Sequence, residues 1–99
     1  MKMIGGIIVN LTITNLERCF KGAKQRSMPF VGVKIQMAGF ERPEVIINPY
    51  KNFDSKLEYY KKAYNDDLTL KAFNGIKIIG FTCGDNYSDI RSDLAWMEG

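Results

Sequence analysis

Apolar residues alternate with polar or small ones in several short segments, which is the pattern of β-strands with one buried face. Residues 30–37 alternate most cleanly, with Val31, Val33, Ile35 and Met37 on one face and Gly32, Lys34 and Gln36 on the other. Residues 6–13 and 44–48 are rich in β-branched side chains and also predict strands. Pro49 ends the last of these, which we expect to pair antiparallel with residues 30–37.

Apolar residues spaced three and four apart predict three helices elsewhere in the chain. Their apolar stripes are, in chain order, Leu16, Cys19, Phe20 and Ala23; Phe53, Leu57, Tyr60 and Tyr64; and Ile90, Leu94 and Met97. The predicted N-terminal caps are Thr14 in a capping box with Glu17, then Asn52 or Asp54, then Ser88. We expect the central helix to end near Asn65, where two aspartates interrupt the pattern.

Asn74-Gly75 lies between two alternating segments, which predicts a tight β-hairpin with a type I′ turn. A two-residue turn would pair Phe73 with Ile76, Leu70 with Ile79 and Leu68 with Phe81, so that the last two pairs share a face. Residues 67–73 have a second interpretation as a helix that ends at Asn74-Gly75, because glycine is also a common helix terminator. The sequence leaves both open.

These elements follow the order β-α-β-β-α-β-β-α and predict one α+β domain over residues 1–99. We expect a mostly antiparallel sheet with two to three helices packed on one face. Polar Asn10 and Thr12 interrupt the apolar N-terminus and no small-residue cleavage site follows, so a first strand is favoured over a signal peptide. The chain lacks a run of ~20 apolar residues, which predicts no membrane association.

The residue types present offer little for catalysis. The sequence has no histidine, which excludes the commonest general base and the Ser-His and Cys-His nucleophile systems. Cys19 and Cys83 are far apart in the chain, so we expect free thiols in a reducing, cytoplasmic compartment rather than a zinc site. No nucleotide-binding motif is present, and we expect no cofactor. Five aspartates leave a hard-cation site as a minor hypothesis: Asp66, Asp67, Asp85, Asp89 and Asp93.

Positive charge is concentrated near the N-terminus. Residues 1–37 contain six basic side chains and one acidic one, whereas residues 38–99 contain eight basic and ten acidic ones. Such asymmetry suits an anionic partner or self-association, although ordinary solvated faces also explain it. The candidate nucleic-acid-binding residues are Arg18, Lys21, Lys24, Arg26 and Lys34, with Lys34 on the exposed face of its strand. Tyr59 and Trp96 are candidate protein-interface residues.

Residues 47–85, INPYKNFDSKLEYYKKAYNDDLTLKAFNGIKIIGFTCGD, resemble small uncharacterised proteins of prophages and other mobile elements of low-GC Gram-positive bacteria. The resemblance implies a phage accessory, structural or host-modulating role and transfers no catalytic residue. We therefore expect a small non-enzymatic interaction or structural protein that acts through protein contacts, self-association included. The alternative is a nucleic-acid-binding module that uses the basic residues between 18 and 34. An enzyme that depends on a metal held by the aspartates ranks third.

Overall fold

The computed structural model describes residues 2–4 and 7–95 of the chain. In this part of the chain the elements are strands β1 (Lys2–Ile4) and β2 (Ile7–Val9), helix α1 (Ile13–Gln25), strands β3 (Phe30–Met37) and β4 (Glu44–Pro49), a 3₁₀ turn (Tyr50–Asn52), helix α2 (Phe53–Ala63), strand β5 (Ile76–Gly84) and helix α3 (Tyr87–Ala95). The predicted α+β class and the mostly antiparallel sheet are confirmed.

Strand β3 lies in the middle of an antiparallel sheet with the order β4-β3-β5. The alternating pattern predicted this strand with its correct boundaries, and β4 pairs with it as expected, with Val31 opposite Asn48. On its other side β3 pairs with β5, with Lys34 opposite Gly80 and one irregularity directly after Lys34. Strands β1 and β2 form a separate two-stranded ladder.

Helices cover both faces of this sheet. Helices α1 and α2 pack on the face of β3 that carries Val31, Val33 and Ile35, as predicted for two helices on one face. Helix α3 lies on the opposite face, where Ile90 and Leu94 are completely buried. The polar or small face of β3 is therefore part of a second core.

The core between α1, α2 and the sheet is rich in aromatic rings. Phe20 of α1 meets Phe53 of α2 edge to face, with ring centroids 5.5 Å apart. The ring centroid of Tyr60 lies 6.0 Å from that of Phe20, and Tyr60 is 1% exposed. Such ring pairs add about 0.5–1.5 kcal/mol to the stability that comes from their buried area. The predicted stripes of α1 and α2 are thus core residues.

The start of the chain differs from its prediction. The single strand expected over residues 6–13 is wrong: β2 ends at Val9, and α1 already begins at Ile13. The helix is capped by Thr12, whose hydroxyl accepts the N–H of Asn15 at 3.2 Å, and not by Thr14. Glu17 does not complete a capping box because its carboxylate binds lysines instead. Residue 6 lies outside the described residues.

The segment before β5 is neither the predicted strand nor the alternative helix. Ile78 donates its N–H to Leu68 and Leu70 donates to Ile76, both at 2.9 Å, which brings Thr69 opposite Lys77. This register differs by three residues from the one predicted. Asn74 and Gly75 do not have the positive φ values that a type I′ turn requires, whereas Leu68 has a φ of 67°.

Contacts with α2 explain this register. Leu68 is completely buried, and the N–H of Lys71 donates to the Ala63 carbonyl at the end of α2. The Asp67 carboxylate accepts the Thr69 N–H and bends the chain locally. These interactions fix the segment against α2 and the start of β5, so the turn signal at Asn74-Gly75 does not set the pairing.

The helix boundaries are otherwise close to those expected. Helix α2 ends at Ala63, two residues before the predicted end, and Asn52 occupies its N-cap position without a side-chain hydrogen bond. Helix α3 is capped by Asn86, whose side-chain oxygen accepts the Asp89 N–H at 2.8 Å, so the expected Ser88 cap is wrong. Trp96 and Met97 lie outside the described residues.

Candidate interaction surfaces

The structure separates the five predicted basic residues. Arg18, Lys21 and Lys24 are exposed on α1, and Arg26 follows directly after it. Lys34 lies on the opposite face of the sheet and is 9% exposed, so its expected position on an exposed face is wrong.

Helix α3 accounts for the burial of Lys34. Its ammonium donates a hydrogen bond to the Leu94 carbonyl at 2.9 Å, in the last turn of α3. A cation is favoured at this position because the helix dipole places partial negative charge there.

Ion pairs join α1 to α2 at their exposed sides. Lys24 lies 2.7 Å from the Asp54 carboxylate, and Lys61 lies 2.7 Å from that of Glu17. Hydrogen bonds from Lys61 and then Lys21 hold the pKa of the Glu17 carboxyl below its usual value. The hydrogen bond to Asp54 raises the pKa of Lys24. Exposed pairs of this kind contribute little to stability. The buried contacts of Phe20 with Phe53 and Tyr60 hold the two helices together.

Packing α1 beside α2 creates a larger basic surface than the sequence indicated. We name the charged side chains of α1 and α2, together with Arg26, the helical face. It contains seven basic residues and three acidic ones: Arg18, Lys21, Lys24, Arg26, Lys56, Lys61 and Lys62 against Glu17, Asp54 and Glu58. The α2 lysines were missed because their proximity to α1 arises from tertiary packing. Their only sequence signal is that they lie off the apolar stripe of α2.

Tyr59 is accessible on α2, in keeping with its assignment as a candidate interface residue. Its side chain is 49% exposed, and the Lys56 ammonium lies 5.3 Å from the ring centroid. Tyr60, the next residue, faces the core. Tyr59 therefore adds an aromatic group to the helical face. The other candidate, Trp96, lies outside the described residues.

Cys19 lies in surroundings that keep its thiol protonated. Burial, with a smaller contribution from Cys83, raises the pKa of the Cys19 thiol to about 12, and Arg26 opposes this only partly. Arg18 and Lys21, the cations that could have activated the thiol, do not lower this pKa. Both cysteines are free thiols. Cys19 is therefore a packing residue held in its unreactive protonated form.

The aspartates proposed for cation binding do not converge. Asp66 follows α2 and accepts the Ile13 N–H through its backbone carbonyl, whereas Asp89 and Asp93 lie on α3 across the sheet. The carboxylates of Asp67 and Asp89 bond to nearby side chains, Thr69 and Asn86. Residues 2–4 and 7–95 contain no group of three acidic or cysteine side chains that could hold a metal ion.

The outer side of β4 is the second candidate surface, because no strand of the described chain pairs with it. Residues of an antiparallel ladder alternate between those that bond to the neighbouring strand and those whose backbone groups point away. The Tyr50 N–H donates to the Pro29 carbonyl at 2.9 Å, so the even-numbered positions bond to β3. The N–H and C=O groups of Val45 and Ile47 therefore point away from the sheet. We name this side the β4 edge.

The β4 edge lacks the usual protection in its centre. Natural sheets protect such edges with charged residues, prolines or covering segments. Glu44 and Pro49 stand at the two ends of β4, but the side chains between them are partly exposed and apolar: Val45, Ile46 and Ile47. Val45 and Ile47 pack partly against α3, and Ile46 packs partly against the core under α2. The centre of β4 thus combines unpaired backbone groups with apolar side chains.

The opposite border of the sheet is better covered. The backbone groups of Ile76 and Ile78 at the start of β5 bond to Leu70 and Leu68. Near the end of β5, the Arg26 guanidinium donates to the Cys83 sulfur at 3.2 Å. The start of this border is therefore paired with a neighbouring segment, whereas no described segment pairs with any part of the β4 edge.

None of the helices among residues 2–4 and 7–95 combines the length and apolar character needed to cross a bilayer. Comparisons of this chain with protein-family models, with curated proteins and with solved structures give no match.

Proposed function

We propose that this chain is a small non-enzymatic interaction protein that binds a protein partner by strand addition at the β4 edge. The observation that carries the proposal is the pair of outward-facing residues, Val45 and Ile47, whose N–H and C=O groups bond to no other residue among 2–4 and 7–95 and lie beside partly exposed apolar side chains. An extended segment that adds to a sheet edge gains affinity from main-chain hydrogen bonds and specificity from alternate side chains.

Two further features support this assignment. The sequence has no histidine to act as a general base, and the Cys19 thiol is held protonated, so neither offers a reactive group here. The free thiols favour a reducing, cytoplasmic setting. The resemblance of residues 47–85 to prophage-carried proteins favours an accessory or host-modulating role within that setting.

Ile47→Pro tests the proposal because proline removes an outward N–H and no bond to β3. Ile47→Ala is the matched control, since it removes the same side chain and keeps the N–H. Random peptides are selected on the immobilised protein, and their affinities for the wild type and both variants are then measured. Binding to Ile47→Pro should weaken about tenfold or more, because one main-chain hydrogen bond contributes about 1 kcal/mol and the proline ring obstructs the approaching strand.

Ile47→Ala should retain most of that affinity. Peptides that bind Ile47→Pro as tightly as they bind Ile47→Ala would refute a site at the β4 edge. Far-UV circular dichroism of both variants checks that the sheet is intact before affinities are compared.

The helical face supports a second candidate function, nucleic-acid binding. Its seven basic residues stand against three acidic ones, and Tyr59 offers an accessible ring on which a base could stack. Such binding would weaken steeply as salt is added, because bound phosphates release counterions.

Charge reversal separates this function from the first. Arg18→Glu with Arg26→Glu should abolish retention on single-stranded DNA and RNA, whereas Lys77→Glu, an exposed charge reversal on β5 away from the helical face, should leave it unchanged. Equal retention of both variants, or retention that does not depend on salt, would eliminate a nucleic-acid role.

A further inference from the structure

The backbone of the β4 edge restricts the strands that can pair with it. Its outward-facing donors in the centre are the N–H groups of Val45 and Ile47, and the corresponding carbonyls are its acceptors. Pro43 and Pro49, at the same odd-numbered positions on either side, have no N–H to offer. A partner strand must therefore pair with the N–H and C=O groups of two successive outward-facing residues. The outward-facing positions on either side of them cannot donate a hydrogen bond.

We infer that this strand is β4 of a second copy of the chain, paired antiparallel about a two-fold axis at Ile46. This inference rests on the proposed function and names its partner. In that register Val45 of one copy faces Ile47 of the other, and every outward N–H and C=O of these two residues finds a partner. The two Ile46 residues meet on the axis as a non-hydrogen-bonded pair.

The prolines disfavour the neighbouring antiparallel registers, because each of these leaves a central carbonyl of β4 without a donor. Moving the pairing by two residues in one direction places Pro49 opposite Val45, and in the other direction it places Pro43 opposite Ile47. In either case a proline without an N–H faces a carbonyl that then has no donor. A shift by one residue places the outward groups of one strand against the inward groups of the other. The register centred on Ile46 is the one that pairs all central groups.

The side chains of β4 are self-complementary in the same register. Val45 lies beside Ile47 of the second copy on the α3 side, and Ile46 lies beside its own counterpart on the α2 side. All three are partly exposed in the single chain and would lose that exposure on pairing. Cross-strand pairs of β-branched residues each contribute roughly 0.2–1 kcal/mol.

Charges at the two ends of β4 also favour antiparallel self-pairing. Glu41, Arg42 and Glu44 give its start a net charge of −1, and Lys51 follows its end in the 3₁₀ turn; all four are exposed. Antiparallel pairing brings the acidic start of one copy beside the basic end of the other. A parallel arrangement would place like charges side by side. The self-pair thus has complementary charge at both ends and an uncharged centre.

Cysteine cross-linking tests the register directly. Ile46→Cys places two thiols on the two-fold axis at a Cα separation of about 4.5 Å, within the range of a disulfide. Val45→Cys and Ile47→Cys are matched controls in the same strand, because neither residue faces its own counterpart. The native Cys19 and Cys83 are present in every variant and set the common background. Mild oxidation should give a covalent dimer with Ile46→Cys and only background with the two controls.

Analytical sedimentation of the proteins without cross-linking measures their oligomeric state and completes the test. The wild type and Ile47→Ala should form a dimer, and Ile47→Pro should be a monomer with an unchanged circular dichroism spectrum. A dimer that persists in Ile47→Pro, or Val45→Cys cross-linking as strongly as Ile46→Cys, would overturn the inference. A monomeric wild type whose selected peptides still depend on the Ile47 N–H would overturn self-pairing and leave strand addition intact. A monomer without that dependence would refute both.

Discussion

Adding one methyl group at Gly32 should displace α3 from the sheet. A Cβ at this position would lie 2.3 Å from Ile90 Cγ2 and 3.2 Å from Leu94 Cδ1. Carbon atoms in packed cores sit about 3.5–4.0 Å apart, so the first contact cannot be accommodated without movement. Ile90 is β-branched and held in one rotamer within a helix, which leaves outward movement of α3 as the main response.

The expected cost follows from what α3 buries. Overpacking a core costs about 1–3 kcal/mol, and full loss of burial would cost about 1.5–3 kcal/mol for each of Ile90 and Leu94. Loss of the flexible glycine in the unfolded chain returns about 0.4–1 kcal/mol. We therefore expect Gly32→Ala to lower the free energy of unfolding by about 2–3 kcal/mol, which corresponds to a Tm lower by roughly 10 °C or more.

Urea unfolding followed by circular dichroism measures this cost, with Gly22→Ala as the matched control. A Cβ at Gly22 meets no atom closer than 3.5 Å, and alanine is favoured over glycine inside α1 by about 0.5–1 kcal/mol. The two identical substitutions should thus change stability in opposite directions. A Gly32→Ala protein within about 0.5 kcal/mol of the wild type would show that α3 does not pack on the sheet as described.

Four further predictions concern three buried or partly buried groups, Tyr60, Lys34 and Cys19. Among the described residues, no group is in hydrogen-bonding geometry with the buried Tyr60 hydroxyl. Tyr60→Phe should therefore raise the free energy of unfolding by about 1 kcal/mol. A lower free energy of unfolding in this variant would show that the hydroxyl has a hydrogen-bond partner. Burial raises the pKa of Tyr60 to about 12, and the opposing effect of Asn48 is smaller. The wild type should therefore lose up to about 3 kcal/mol more than Tyr60→Phe as pH rises from 10 to 12, because only the unfolded chain releases the Tyr60 proton there. Cys19 and Tyr64, whose pKa values burial also raises, contribute equally in both proteins. Lys34→Met removes the ammonium at the end of α3 and should lower the free energy of unfolding by about 1–2 kcal/mol in urea titrations, whereas an unchanged value would exclude a stabilising role for that contact. Cys19 should react with iodoacetamide at pH 8 far more slowly than in urea-unfolded protein, and equal rates would contradict its burial.

The sequence predicted the strands and helices whose apolar patterns are set by local burial. Alternation gave the boundaries of β3, but it did not show what covers each face. Lys34 looked like a solvent-facing residue because lysine is rarely buried. Its ammonium is accommodated because α3, far away in the chain, ends directly above it. Such a position depends on a long-range contact that periodicity does not report.

In the segment around Leu68, a strong local turn signal in the sequence gave the wrong strand pairing. Asn74-Gly75 favours a two-residue turn, yet burial of Leu68 and the bond from Lys71 to Ala63 set the register. Long-range packing also decides which basic residues lie together. The basic residues of α1 are close in the sequence, whereas Lys61 and Lys62 belong to the helical face only because α2 packs beside α1. Which border of the sheet stays unpaired could not be predicted from the sequence, because it depends on the strand order.

Amide hydrogen exchange in β4 measures directly whether this edge is open in one chain and receives a strand from another. Ile46 and Asn48, whose N–H groups bond to β3, provide the internal reference. In dilute protein the Val45 and Ile47 amides should exchange much faster than these, and they should become protected as the protein concentration rises or a selected peptide is added. Val45 and Ile47 amides that are already as slow as Ile46 in dilute protein, or that stay fast under every condition, would contradict the account.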